Sequence, residues 1–405
     1  MLNQQVNEPS STSKRSSSQT NSSITFAEFF AGIGLVRLGL EQVGWYCNFA
    51  NDIDQKKEQT YSDNFGDDHF VLDDIWNIDT RSIPTADLFT ASFPCVDLSV
   101  AGHRRGIKGE ESGTYWAFIK ILKQLQKVKR LPKIVMLENV FGFLTSNAGQ
   151  DVRYAINSLN VLGYSTDLFL LDAKHFTPQS RPRVFVIGVP SNLSRKLMAK
   201  FSAKECLGDW DTRLCGCSDE LRPKKVVEVI QKNPSLDWGL LDLPSLPKRN
   251  ISLNSIIEEL PEDHPRWWMG EKMEKLISQI KDDHLRVLNH HLNSDTYFYG
   301  TIYRRIRKGG TRAELRSDGL AGCLRTPRGG SSKQIVARSG RGTIRARWMT
   351  PREYARLQGV PDDFHLPDSD VQAYFGLGDA VCVPAIKWIG ENVLEPALKE
   401  ILITK

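Results

Sequence analysis

Cys95 follows Phe93 and Pro94 at the end of an apolar run, 87–92, that reads as a buried strand. A thiol at the carboxyl edge of an α/β sheet stands where such folds bind ligands, and it becomes a nucleophile when a cation or an acid lies near. His103, Arg104 and Arg105 bring charge close by in the chain, and Glu138 ends a second run, Ile134-Val135-Met136-Leu137. A carboxyl group at an apolar edge holds its proton to higher pH and can donate it. Arg181 and Arg183 bracket Pro182 ahead of Val184-Phe185-Val186-Ile187, which sets two guanidinium groups at a strand entry where a bound oxygen is a natural partner. Taken singly, the residues have plainer readings: a small buried hydrophobe for the cysteine, a helix cap for the glutamate. Position, proline and partners together favour chemistry.

A second set suits a nucleotide-like ligand. Gly32 and Gly34 lie between the run 24–30 and a helical stripe of Leu35, Leu38 and Val43, so backbone amides are left free at a helix start. Asp52 stands 20 residues beyond Gly32 at the end of the next strand, a spacing that suits ribose hydroxyls. A glycine turn used only for packing explains the same residues.

To hold these positions the chain must alternate strands and helices. Strands are expected at 24–30, 45–50, 87–92 and 134–137, and helices at 35–43, 115–128, 350–357 and 385–394. That order predicts an α/β, doubly wound, mainly parallel sheet with helices on both faces. The chain has 405 residues, 40% hydrophobic and 25% charged, which fits two globular domains and excludes fibrous and wholly disordered classes. Residues 1–23 are serine-rich and poor in apolar side chains, and are expected to be a disordered tail. The pattern assigns 24–190 to a catalytic, cofactor-binding domain, 191–340 to a second domain and 341–405 to a segment returning to the first. Between Thr301 and Arg352 stand 14 lysines and arginines against Glu314 and Asp318, although the whole chain is only +5. A basic segment on an otherwise acidic protein is the footprint of a nucleic-acid partner, or else a solvated basic face. No apolar run is long enough to span a bilayer, no signal peptide is seen, and seven scattered cysteines fit a reducing compartment. Cys206, Cys215 and Cys217 lack a fourth ligand at zinc spacing, so no metal is expected. Trp267 and Trp268 are expected to pack and not to stack on a base.

Five fragments in this order and spacing resemble the DNA (cytosine-5) methyltransferases: Phe30-Ala31-Gly32-Ile33-Gly34, Phe93-Pro94-Cys95, Glu138-Asn139-Val140, Gln179-Ser180-Arg181-Pro182-Arg183 and Met349-Thr350-Pro351-Arg352-Glu353. The resemblance implies a Rossmann-like fold that uses S-adenosyl-L-methionine, with a smaller basic target recognition domain. It makes Cys95 the nucleophile, Glu138 the acid on the cytosine ring, and Arg181 and Arg183 the arginines at the base. Phe30, Gly32, Ile33, Gly34, Asp52, Ile53, Asp74, Ile75, Pro94, Asp379 and Val381 would line the cofactor. The chain carries Leu35 where relatives commonly have a second glycine, and Asp379 where they commonly have asparagine. Double-stranded DNA is the implied partner, with Arg304 and Arg305 expected on phosphates and Arg325 and Arg328 on base edges. A prokaryotic, cytoplasmic, monomeric modification enzyme working beside a restriction endonuclease is the expected setting. The rivals are a tRNA-methylating relative of the same fold, a catalytically silent nucleic-acid binder and a nicotinamide oxidoreductase. About 150 residues between Ser191 and Gly340 leave the first too much insert, and Phe93-Pro94-Cys95 has no role in the last.

Overall fold

In the computed structural model, which describes residues 23–94, 113–192, 220–307, 310–327 and 333–403, the apolar runs become strands enclosed on both faces. β1 (Thr25–Phe29) passes through the glycine turn into α1 (Leu35–Glu41), and β2 (Tyr46–Asp52) leads into α2 (Gln55–Phe65). β3 (Phe70–Leu72), β4 (Leu88–Ala91), α3 (Thr114–Lys127) and β5 (Ile134–Val140) follow. α4 (Gln150–Val161), β6 (Tyr164–Asp172) and β7 (Pro182–Pro190) complete a seven-stranded sheet in the order β3-β2-β1-β4-β5-β7-β6. β1 to β5 pair in parallel, whereas β7 runs antiparallel to both its neighbours, β5 and β6. The sheet is therefore doubly wound and mainly parallel, with its switch point between β1 and β4, where α/β folds bind ligands.

Aromatic packing fixes one face. Phe29 meets Phe49, Phe89 and Phe118 with ring centroids 5.2 to 5.3 Å apart, which clamps α3 onto the centre of the sheet. α1 covers the other face. There Gly39 lies so close to Ile386 that a Cβ would come within 2.7 Å, which brings the C-terminal part of the chain against the first helix.

The second unit is an antiparallel sheet. α5 (Lys224–Lys232), α6 (Glu271–Gln279) and α7 (Asp282–His290) precede β8 (Phe298–Arg307), β9 (Gly310–Arg316), β10 (Ile335–Gly340) and β11 (Thr343–Trp348), which order as β11-β10-β8-β9. α8 (Pro351–Leu357), α9 (Asp370–Asp379), α10 (Val383–Ile389) and α11 (Glu395–Ile403) return to the first domain.

Both boundaries expected for the second domain move. Val226, Val229 and Ile230 of α5 join the apolar layer of Phe118 and Val152, and Leu253, Ile256 and Ile257 join that of α1, so the stretch 220–257 packs on the first domain. The smaller core begins at Trp268. At its other end β11 pairs with β10 along its whole length, so that domain runs to Trp348, not Gly340. Irregular, proline-rich chain can bury apolar groups against an existing layer without any periodic signal, and this is what hid the first boundary.

Candidate active site

Parallel pairing brings the carboxyl ends of β1, β2, β4 and β5 to one edge, so the glycine turn, Asp52, Ser92-Phe93-Pro94 and Glu138 come together there. β7 runs the opposite way and enters at the same edge, with Val140 opposite Arg183 and Glu138 opposite Phe185. Residues two apart in a strand share a face, so Glu138 and Arg183 face each other diagonally. The Arg183 Nε lies 3.0 Å from Glu138 Oε1. Glu138 also bonds to Ser92, and its burial pushes the carboxyl pKa above the usual range although Arg183 and Arg181 pull it down. A carboxyl group so placed takes up a proton more readily than an exposed one.

Asn139 Nδ2 donates to the carbonyl of Phe93 at 3.2 Å, tying the end of β5 to the turn that leads into Cys95. Cys95 itself lies outside the described residues, as do His103, Arg104, Arg105, Arg328 and the Cys206, Cys215 and Cys217 group. Among the described residues no group of three metal-binding side chains is found.

The two arginines of the 179–183 fragment part company. Arg181, expected at the base, is fully buried; its Nη1 donates to Leu324 O at 2.7 Å, and its Nη2 donates to Gly378 O and Ala380 O. With both Nη groups turned to main-chain carbonyls, it positions the backbone. Gln179 does similar work, donating to Leu357 O at 2.9 Å and accepting from Leu324 N–H at 3.2 Å. Cys323 is a participant that sequence reasoning missed, because nothing local marks it. Its Sγ lies 3.4 Å from Arg181 Nη1 and 3.9 Å from Arg183 Nη1. Burial raises the pKa of this thiol, yet the charges of Arg181 and Arg183 outweigh it and hold the group below the ordinary range.

The cofactor set divides by exposure. Asp52 accepts hydrogen bonds from Gly32 N–H at 2.8 Å and Asp54 N–H at 2.9 Å, so one carboxylate fixes the glycine turn to β2. Gly32 and Gly34 have φ of 58° and 81°, and a Cβ added at Gly32 would meet nothing within 4 Å. Phe30 takes a positive φ of 58°, rare for a residue with a side chain, at the same turn. Ile53 is 67% exposed beside Asp52, and Trp76 is exposed next to Asp74 and Ile75. A glycine turn with open space at Gly32, a carboxylate at ribose spacing and exposed apolar side chains suit an adenosine-bearing ligand. Ile33, Ile75 and Val381 turn their side chains into the core, so only their backbone can face such a ligand. Leu35 is also core, in the first turn of α1. Asp379 pairs with Lys57 Nζ at 2.9 Å, and the charges of Asp379 and Asp52 raise the lysine's pKa against the effect of burial. Lys57, also unforeseen, replaces the neutral contact an amide would give by a charge pair.

The fifth fragment starts a helix. Thr350 is the N-cap of α8, Pro351 is its first residue, and Glu353 completes a capping box. Glu353 further accepts from both Nη atoms of Arg347 and from Glu258 N–H, joining β11 to the returning segment.

Of the recognition arginines, Arg304 lies over the Trp348 ring at 4.9 Å, and Arg305, on the other face of β8, sits 3.5 Å from Glu314. Arg325 is exposed, and the backbone at 325–326 approaches Gly378 so closely that a Cβ there would fall 2.7 Å away. Trp267 and Trp268 are buried, with Trp267 Nε1 donating to Pro261 O.

The family model for C-5 cytosine-specific DNA methylases matches residues 24–395. The type II methyltransferase M.DsaV of Dactylococcopsis salina is 26% identical over 372 residues, covering 92% of this chain and 86% of that protein. M.HpaII of Haemophilus parainfluenzae is 28% identical over 379 residues, covering 92% and 89%. A DNMT2 structure from Spodoptera frugiperda shares the fold, with a TM-score of 0.58 at 20% identity, covering 93% of this chain and all of that one.

Proposed function

Since this chain belongs to the C-5 cytosine-specific DNA methylase family and is a DNA cytosine-5 methyltransferase, we propose how its residues divide the reaction. Cys95, Glu138 and Arg183 work on a cytosine turned out of the duplex, and the Gly32 turn with Asp52 holds S-adenosyl-L-methionine. The observation that supports this most is the Glu138–Arg183 pair at the sheet edge, bonded through Ser92 and Asn139 to the turn entering Cys95.

Cytosine C5 is a weak nucleophile. A Cys95 thiolate adding at C6 makes the ring an enamine at C5, and Glu138, protonated, gives N3 the hydrogen bond or proton that the attack demands. Arg183 keeps that carboxyl oriented and offers a donor toward the base. When bound, S-adenosyl-L-methionine supplies an electrophilic methyl group. Transfer of the C5 proton to a solvent base, with the N3 proton returned to Glu138, then expels the thiolate and restores the aromatic ring. Flipping the base costs a few kcal/mol, which contacts to the surrounding duplex must offset. Curated relatives are named as type II methyltransferases, and we take this chain to act on a fixed duplex site, with a restriction endonuclease of the same specificity as its counterpart.

Duplex DNA carrying 5-fluorocytosine at the target removes the departing proton, so wild-type protein with cofactor is expected to leave a denaturation-resistant adduct and Cys95→Ala none. Equal adduct from the variant would overturn the role of Cys95. Methylation of tRNA without duplex DNA would overturn the substrate.

A further inference from the structure

Cross-strand pairing puts Trp348 of β11, Ile335 of β10 and Ile302 of β8 in one row. Two residues along on the same face stand Arg304 on β8 and Lys333 just before β10. α6 packs over this face, and Trp268 meets Trp348 edge to face at 4.8 Å. Three cations therefore converge on one indole from three elements. Arg304 Cζ lies 4.9 Å from the Trp348 centroid, Lys333 Nζ 5.3 Å, and Lys272 Nζ of α6 5.8 Å; Lys272 is also 4.3 Å from the Trp268 centroid. Aromatic faces attract cations and hold flexible side chains in place.

Five other arginines of this domain are neutralised. Arg305 faces Glu314, Arg316 pairs with Asp318, Arg338 and Arg345 share Glu262, and Arg347 is held by Glu353. Among the described residues no carboxylate pairs with Lys272, Arg304 or Lys333. The Lys272 ammonium is instead held below its usual pKa, by burial first and then by the charges of Arg304 and Lys333. Three like charges set side by side without a counterion cost free energy in the folded chain unless an anion joins them. The only anion in bulk supply on this protein's substrate is the phosphodiester.

We propose that Lys272, Arg304 and Lys333, held on Trp348, form a clamp for backbone phosphates of the DNA, engaged without regard to base sequence. This rests on duplex DNA being the substrate and is independent of the roles given to Cys95 and Glu138. Arg304 was expected on phosphate from its place in a charge run; its neighbour Arg305, in the same run, is already paired with Glu314. Two lysines the run did not single out, one of them 29 residues before it, complete the site.

Binding is measured by fluorescence anisotropy on target-containing and scrambled duplexes across a salt series. Lys272→Gln with Lys333→Gln is expected to weaken both complexes by similar factors, about tenfold or more, and to reduce the slope of log K against log salt by about two units. Lys272→Arg with Lys333→Arg restores charge and should restore slope. Arg305→Gln should change the slope by well under one unit. Unchanged affinity and slope in the double glutamine variant, with its melting temperature retained, would overturn the clamp while leaving the DNA reading intact. A loss confined to the target duplex would replace phosphate contact by base reading. Failure of the wild-type protein to bind either duplex would instead strike the DNA reading itself.

Discussion

Glu353 and Glu138 are both buried carboxylates facing an arginine, and their remaining neighbours part them. Glu353 is saturated: two Nη atoms of Arg347 and the backbone N–H groups of Thr350 and Glu258 reach its oxygens, along with the Thr350 hydroxyl's reciprocal bond to Glu353 N–H. Glu138 has one guanidinium nitrogen, a serine and a burial that favours its neutral form. A saturated pair holds two segments together; a carboxyl whose burial favours its neutral form takes up a proton more readily. The same chemical groups thus serve architecture or reaction according to how many donors surround the carboxylate.

Replacement by glutamine separates the two. Glu138→Gln should depress methyl transfer by about 10²–10⁴-fold, the range of a lost general acid, with cofactor affinity by calorimetry and melting temperature near wild type. A loss of cofactor affinity alone would erase the distinction. Glu353→Gln strands Arg347 in a dry site and should cost about 3–5 kcal/mol in urea unfolding, with little change in single-turnover rate for the protein that stays folded. The pH dependence sharpens the contrast. Because the Glu138 pKa is raised and its protonated form acts, the single-turnover rate should fall as pH rises through that elevated value, and Glu138→Gln should flatten the alkaline limb.

Glu28 is a third buried carboxyl and extends the series. It lies in β1 with Oε2 unbonded among the described residues, and burial pushes it to about 8, opposed by Arg37 and reinforced by Glu41 and Asp52. A raised folded pKa favours the folded state at low pH, so this contribution is complete below the unfolded value of 4.5 and is lost as pH climbs through about 8. Glu28→Gln should abolish that part of the decline in melting temperature between pH 5 and pH 9; an unaltered slope would show that the carboxyl is not the source. The smallest effect is expected at Lys57 and Asp379, where the carboxylate is 52% exposed. Solvent screening limits such a pair to about 0–1 kcal/mol, so Lys57→Met should weaken cofactor binding no more than about fivefold, and Asp379→Asn should make that change nearly silent.

The edge of the large sheet was legible because its residues follow short, largely apolar runs, and a run of that kind ends where a parallel strand ends. Asp52 and Glu138 could be placed this way. The small sheet was not legible. β8 alternates Phe298, Gly300, Ile302 and Arg304 against Tyr299, Thr301, Tyr303 and Arg305, so basic residues end both faces and mask a period of two under a charge run. Arg181 and Arg183 show a different limit, since the sequence sets them two apart at one strand entry and only the packing of 324, 378 and 380 separates the arginine held on main-chain carbonyls from the one paired with Glu138. Lys57 and Asp379, 322 residues apart, carry no local sign of each other.

Arg181 grips the carbonyls of Gly378 and Ala380, and the recognition loop at 325–326 rests on Gly378. On a ribosome adding about 5–20 residues per second, the 197 residues between Arg181 and Gly378 take roughly 10–40 s to emerge. Through that interval a nascent chain holds a guanidinium bound for a dry interior with its set of partners incomplete. Segments around 324 and 378 must arrive before the arginine can be enclosed. Chains released early, lacking α9, leave that guanidinium without the carbonyls of Gly378 and Ala380 and should be the ones a cell's proteases clear first.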